Sequence, residues 1–266
     1  MNLSVTTAAI LILGVAASVA GVVLVRRRIP QEKLEENNDY VGFTFSILSL
    51  IYGIYLAFTV VVVWQQFEDA EQTVSQEVVL LNAIWRDLAP FAPADQMRLR
   101  RGLMDYVRSV INDEWPRMAN GLEDAHSEVY DALWDDFYRL NPDPNDVRQT
   151  TFYQDCIERM NDFAMARRMR ILSSTAALPW SMWVLLVAGA VGTIGFTWFH
   201  GTRYMSMQLG VTAFLSAVII YSVLLVAMLE HPFGGAVAVK PVPFQKLLEQ
   251  FEGEIKERSA PVPNTR

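Results

Sequence analysis

Cysteine is almost absent from this 266-residue chain: the single Cys156 excludes an intramolecular disulfide and any cysteine-built metal cage. Histidine is scarce and scattered, at His126, His200 and His231, and no Gly-rich phosphate loop or nucleophile elbow appears, so the chain carries no enzyme signature and calls for no cofactor. An excess of acid over base, net charge -7, argues against a nucleic-acid surface. The most consequential absence is of charge itself. Val5 to Val25, Val41 to Trp64, Leu178 to Phe199 and Leu209 to Leu229 contain no Asp, Glu, Lys, Arg or His over 21, 24, 22 and 21 residues. Each spans roughly 30 Å as a helix at about 1.5 Å per residue, the thickness of a bilayer's hydrocarbon layer. A single soluble domain is excluded, while the 51 charged residues crowd into the remainder.

What is present is an all-α polytopic membrane protein. The reading is a first transmembrane hairpin over 1–64 (helices 5–25 and 41–64), an acidic helical domain over 65–177, a second hairpin over 178–229 (helices 178–199 and 209–229), and a tail over 230–266. Arg26, Arg27 and Arg28 follow the first apolar run rather than precede it, which marks a retained span rather than a secretion signal. In the middle region Val74, Val78, Leu81, Trp85 and Leu88 recur at steps of three or four, as do Leu99, Leu103, Tyr106, Val110 and Ile111. Breaks are expected at Pro90 to Pro93, at Pro116 with Gly121, and at Asn141 to Asn145, giving about four helices. No proline or glycine lies between Ile54 and Leu88, so the second span can continue unbroken into the domain.

The short turns hold Arg26, Arg27, Arg28, Lys33 and Arg203, and the positive-inside rule puts them in the cytoplasm of an inner-membrane protein with its middle domain extracytoplasmic. Arg167, Arg168 and Arg170, on the domain side of the third span, count against that orientation.

The second span carries two faces of different chemistry. Gly42, Ser46, Ser49, Gly53 and Ala57 form a small-residue stripe suited to close helix packing. Leu48, Tyr52, Tyr55, Leu56 and Thr59, with Phe45, form an aromatic and hydroxyl face that can line a constriction gated by dewetting if subunits surround an axis. Just beyond, Glu68, Asp69 and Glu71, followed by Glu77, would become rings of carboxylate at the mouth of such an oligomer and favour cations. The spans contain no ionisable side chain of the kind a proton-coupled transporter needs, which points to passive conduction of small inorganic ions. Asp113, Glu114, Glu123, Asp124 and His126 cluster in sequence, but their spacing fits no oxygen-cage loop and no metal is expected there. The arginine-only basic complement of the domain suits ion pairs between packed helices.

Several segments together resemble the bacterial membrane proteins of unknown function that have a bestrophin-like domain. They are the Ala-Phe-Thr-Val-Val-Val-Val-Trp-Gln-Gln-Phe run at 57–67, Tyr106 to Gly121 with Asp-Glu-Trp-Pro at 113–116, Leu178-Pro179 followed by Trp183, His231-Pro232-Phe233-Gly234-Gly235, and Pro241-Val242-Pro243-Phe244. The likeness covers roughly residues 40 to 250. His231 departs from a family pattern that more often has arginine or lysine before Pro-Phe. The resemblance implies a distant relation to bestrophins, pentameric ion channels with four membrane helices per subunit, the second lining the pore, a cytosolic domain and a best-known preference for anions. The expected function is therefore an oligomeric, pentameric ion channel embedded in lipid. The alternative is a non-conducting membrane sensor or scaffold whose acidic domain binds a protein partner.

Overall fold

The computed structural model describes residues 3–121, 127–235 and 237–259, and among these every regular element is helical. Glu123, Asp124 and His126 lie outside the described residues. Two compact units emerge, one from 1–66, 177–230 and 235–237, the other from 67–176, 231–234 and 238–266.

In the first unit four helices are long and apolar enough to cross a membrane: α1 (Leu3–Arg28), the apolar part of α3 (Asn38–Asp87), α8 (Trp180–Phe196, extended by a short 3₁₀ turn, Thr197–Phe199) and α9 (Met205–Leu229). The first packs chiefly along the last rather than along its chain neighbour α3. Small side chains let α1 and α9 approach, and the Ser18 and Ser216 hydroxyls hydrogen-bond at 2.6 Å between them. A short helix α2 (Gln31–Glu36) lies in the first turn. The turns at one end are tied together by Asn38, whose amide donates to Gly201 O at 2.7 Å and accepts from Gly201 N at 2.8 Å. Gly201 must be glycine because a Cβ there would lie 2.4 Å from the Glu35 nitrogen. At the other end Glu230 accepts from Leu178 N at 2.8 Å and Trp183 Nε1 at 2.9 Å, a buried carboxylate at the N-terminus of α8.

The second unit combines the lower part of α3 with α4 (Pro93–Ser109), α5 (Trp115–Met118), α6 (Glu128–Tyr138), α7 (Val147–Ser174) and α10 (Val242–Ser259). Of the break expected at Pro116 with Gly121, the proline itself does not interrupt the helix. Val110–Glu114 forms a π-helical turn in which Trp115 N–H donates to Val110 O, and this widened turn carries the chain past a residue that lacks an N–H. The helix ends instead at Gly121, whose φ of 78° favours glycine. The tail is a core element. Phe244, Leu247 and Phe251 of α10 are buried, and Phe251 stacks on Trp85 with ring centroids 3.9 Å apart.

Candidate functional site

Within the first unit, α3 turns its aromatic and hydroxyl face inward. Tyr52 is buried with Ala190 and Ile219, and Leu56 packs on that cluster. The Tyr52 ring occupies the notch left by Gly189, where a Cβ would come within 2.3 Å of it. Tyr55 OH donates to Met182 O at 2.8 Å, and buried Thr59 returns its hydroxyl to Tyr55 O at 2.9 Å. Leu48 lies over Gly192. The small-residue stripe has the opposite setting. Ser46, Gly53 and Ala57 are exposed, Gly42 and Ser49 half-exposed, and a Cβ on Gly53 would meet nothing within 4 Å. Ser46 and Ser49 fold their hydroxyls onto Gly42 O and Ser46 O, which leaves the stripe smooth.

Farther along α3, in the second unit, Glu68, Asp69 and Glu71 are exposed, and among the described residues none is ion-paired. Glu77 differs. It is fully buried, so it cannot contribute a solvated ring as the sequence suggested. Its carboxylate accepts from Arg170 Nε at 2.7 Å and Nη2 at 3.3 Å, and from Tyr106 OH at 2.5 Å. Arg170, also fully buried, donates through Nη2 to Glu114 Oε2 at 2.6 Å, while Arg167 reaches Glu114 Oε1 at 2.7 Å. Two guanidiniums and two carboxylates thus close a net-neutral network, with Arg167 over the Tyr130 ring at 4.4 Å and Arg170 over the Phe244 ring at 5.6 Å.

Burial works against the charged form of Glu114, but Arg170 and Arg167 outweigh it and hold its carboxyl below the ordinary value. Burial, then the adjacent Glu77, pushes the Tyr106 phenol well up, so it remains a donor. Arg170 stays charged despite burial because Glu77, Tyr106 and Glu114 surround it.

A sequence signal for this network existed. Glu77 stands in register with Val74, Leu81, Ile84 and Leu88; Glu114 with Leu103, Tyr106 and Val110; and Arg167 and Arg170 with Met160, Phe163 and Ser174, all at steps of three or four. A charge that keeps the rhythm of a core stripe is placed to be buried and must find a partner. His231, the departure from the family pattern, is exposed at the edge of a cavity of about 480 Å³ shared with Asn120, Ser174 and Thr175. Among the described residues no group of three or more His, Cys, Asp or Glu side chains is placed to hold a metal ion.

The family model described as a bestrophin-like domain matches residues 12–244. The chain belongs to the bestrophin-like family. Solved structures of a bacterial bestrophin homologue from Klebsiella pneumoniae share its fold: one substituted form superposes with a TM-score of 0.70 at 14% identity, covering 95% of this chain and 100% of that one. A second substituted form gives 0.69 at 16% identity over 93% and 99%, and the form phased on zinc gives 0.69 at 14% over 95% and 99%. No curated protein matches the sequence. Family membership and four apolar helices make this bestrophin-like chain a membrane protein.

Proposed function

We propose that the protein is an ion channel assembled from several copies of this chain around an axis lined by α3. The observation that carries the reading is the uncovered stripe of that helix. At about 100° per residue, Ser46, Leu50, Gly53, Ala57, Val61, Trp64, Glu68 and Glu71 share one face, and each is exposed in the protomer. Small and apolar side chains give way along this face to carboxylates, the sequence of surfaces that a dewetting constriction with a charged mouth requires. Tyr52, Tyr55 and Thr59 lie on the opposite side of the same helix. An axis bordered by Glu68 and Glu71 therefore takes its constriction from rings of Leu50 and Val61, while the aromatic face seats α3 against α8. The carboxylate mouth concentrates cations. Five copies, as in bestrophins, are the expected assembly.

The test is full-length protein in planar bilayers under a potassium chloride gradient, with oligomer mass taken from the same preparation. Discrete currents whose reversal potential shifts towards the anion value on Glu68→Arg support the reading. An unchanged reversal potential removes Glu68 from the mouth. A silent, folded oligomer overturns conduction and favours a scaffold.

A further inference from the structure

Trp64 ends the apolar part of α3, just before Gln65 and Gln66. It is 48% exposed, while Val63, Phe67 and Ala70 on another side of the same turns are buried, so the protomer's own packing covers one side of the helix here and leaves Trp64 open. Glu68 follows one turn later, about 6 Å along the helix and about 40° around it, and Glu71 lies about 10 Å along and about 20° to the other side. Both carboxylates are exposed, and among the described residues neither is ion-paired. Tryptophan at this level also suits a headgroup belt. A belt residue faces lipid, however, and carboxylates one and two turns away on the same face would meet lipid phosphates of their own sign.

From this we infer that, around the axis proposed above, the Trp64 indoles of the assembled copies and the Glu68 and Glu71 carboxylates beside them form a site for a quaternary ammonium ion. The chemistry separates this ligand from the small inorganic ions of the proposed conduction. An indole face attracts a cation through its quadrupole and offers no lone pair, so it suits a charge that is weakly hydrated and has no N–H to satisfy. The carboxylates attract the same charge from the next turns without having to bond it. A potassium ion gives up its water to oxygen ligands and gains less from the indoles. The inference rests on the axial placement of α3 and not on conduction.

Tetraethylammonium is the probe, titrated by saturation-transfer NMR against the purified full-length oligomer in nanodiscs and added to the planar bilayer as its chloride. Saturable binding is expected to weaken about tenfold in Trp64→Leu, which keeps an apolar side chain but no quadrupole, and to stay within about threefold of wild type in Trp64→Phe. The concentration that halves the potassium current should rise in parallel. The same binding pattern in a silent oligomer would retain the site and remove only conduction. Equal affinity in wild type and Trp64→Leu, absence of saturable binding, or equal block of both proteins would each overturn the site, whatever the size of the currents.

Discussion

Cys156 and Glu114 make opposite statements about what burial does to an ionisable side chain. Cys156 lies fully buried in α7, and burial, with help from Asp87, pushes its thiol up to about 12. A thiolate is the reactive species, so iodoacetamide at pH 8 should leave the native protein unlabelled and modify it fully in denaturant. Labelling of the native protein at a rate near that of a free thiol would contradict this packing. Glu114 is held charged by two arginines, and the sign of the linkage follows. Its stabilising contribution is complete above the ordinary value of 4.5 and is lost as pH falls through the lowered one. Thermal unfolding of the second unit should show a decline in Tm below about pH 4.5 that is smaller in Glu114→Gln, which is itself less stable by about 3 kcal/mol at neutral pH because two buried guanidiniums are left to share the single carboxylate of Glu77. An identical acid profile in the variant would assign the decline to other groups.

Among the elements, α3 has the most demanding task, since 50 residues without a break run about 75 Å at about 1.5 Å per residue. Its apolar stretch is held by complementary shape, Tyr52 against Gly189 and Leu48 over Gly192, and its polar stretch by the ion pairs of Glu77. Tyr52→Ala should therefore lower Tm and leave single-channel conductance unchanged, whereas Leu50→Ala should raise conductance with little change in Tm. The reverse pattern would exchange the roles of the two faces. Glu230 makes a comparable demand on α8, because one carboxylate serves both the Leu178 N–H and the Trp183 indole. Glu230→Gln keeps an acceptor and should cost about 1 kcal/mol through the lost helix-terminus charge. Glu230→Ala should cost about 1–3 kcal/mol by leaving buried donors unpaired. Equal losses in chemical denaturation would show that the charge, not the acceptor, matters.

At the scale of the whole molecule, α10 changes what a reporter at the C-terminus measures. Because Phe244 and Phe251 are buried in the second unit, the tail sits on the same side of the membrane as that unit. A periplasm-active phosphatase fused after Arg266 should be active if the arginines of the short turns set orientation, and inactive if the domain is cytosolic as in bestrophins.

Charge-free windows and the unbroken stretch after Gly53 were sufficient to read membrane helices and the continuity of α3, because the exclusion of charge from hydrocarbon and the backbone's need for hydrogen bonds act on residues locally in sequence. The same reading offered Glu77 to solvent. That position depends on a neighbour far along the chain: Glu77 is buried because Arg170 arrives from α7 to meet it. Helical periodicity identifies faces, but which face is covered depends on which other helix lies against it. Sequence by itself determined the class of solvent and the lengths of the spans. Tertiary structure alone decided that α1 packs along α9, that the tail belongs to a core, and that two arginines bond two carboxylates 53 to 93 residues away in one buried site, since ion pairing and close packing are set by distances in space rather than along the chain.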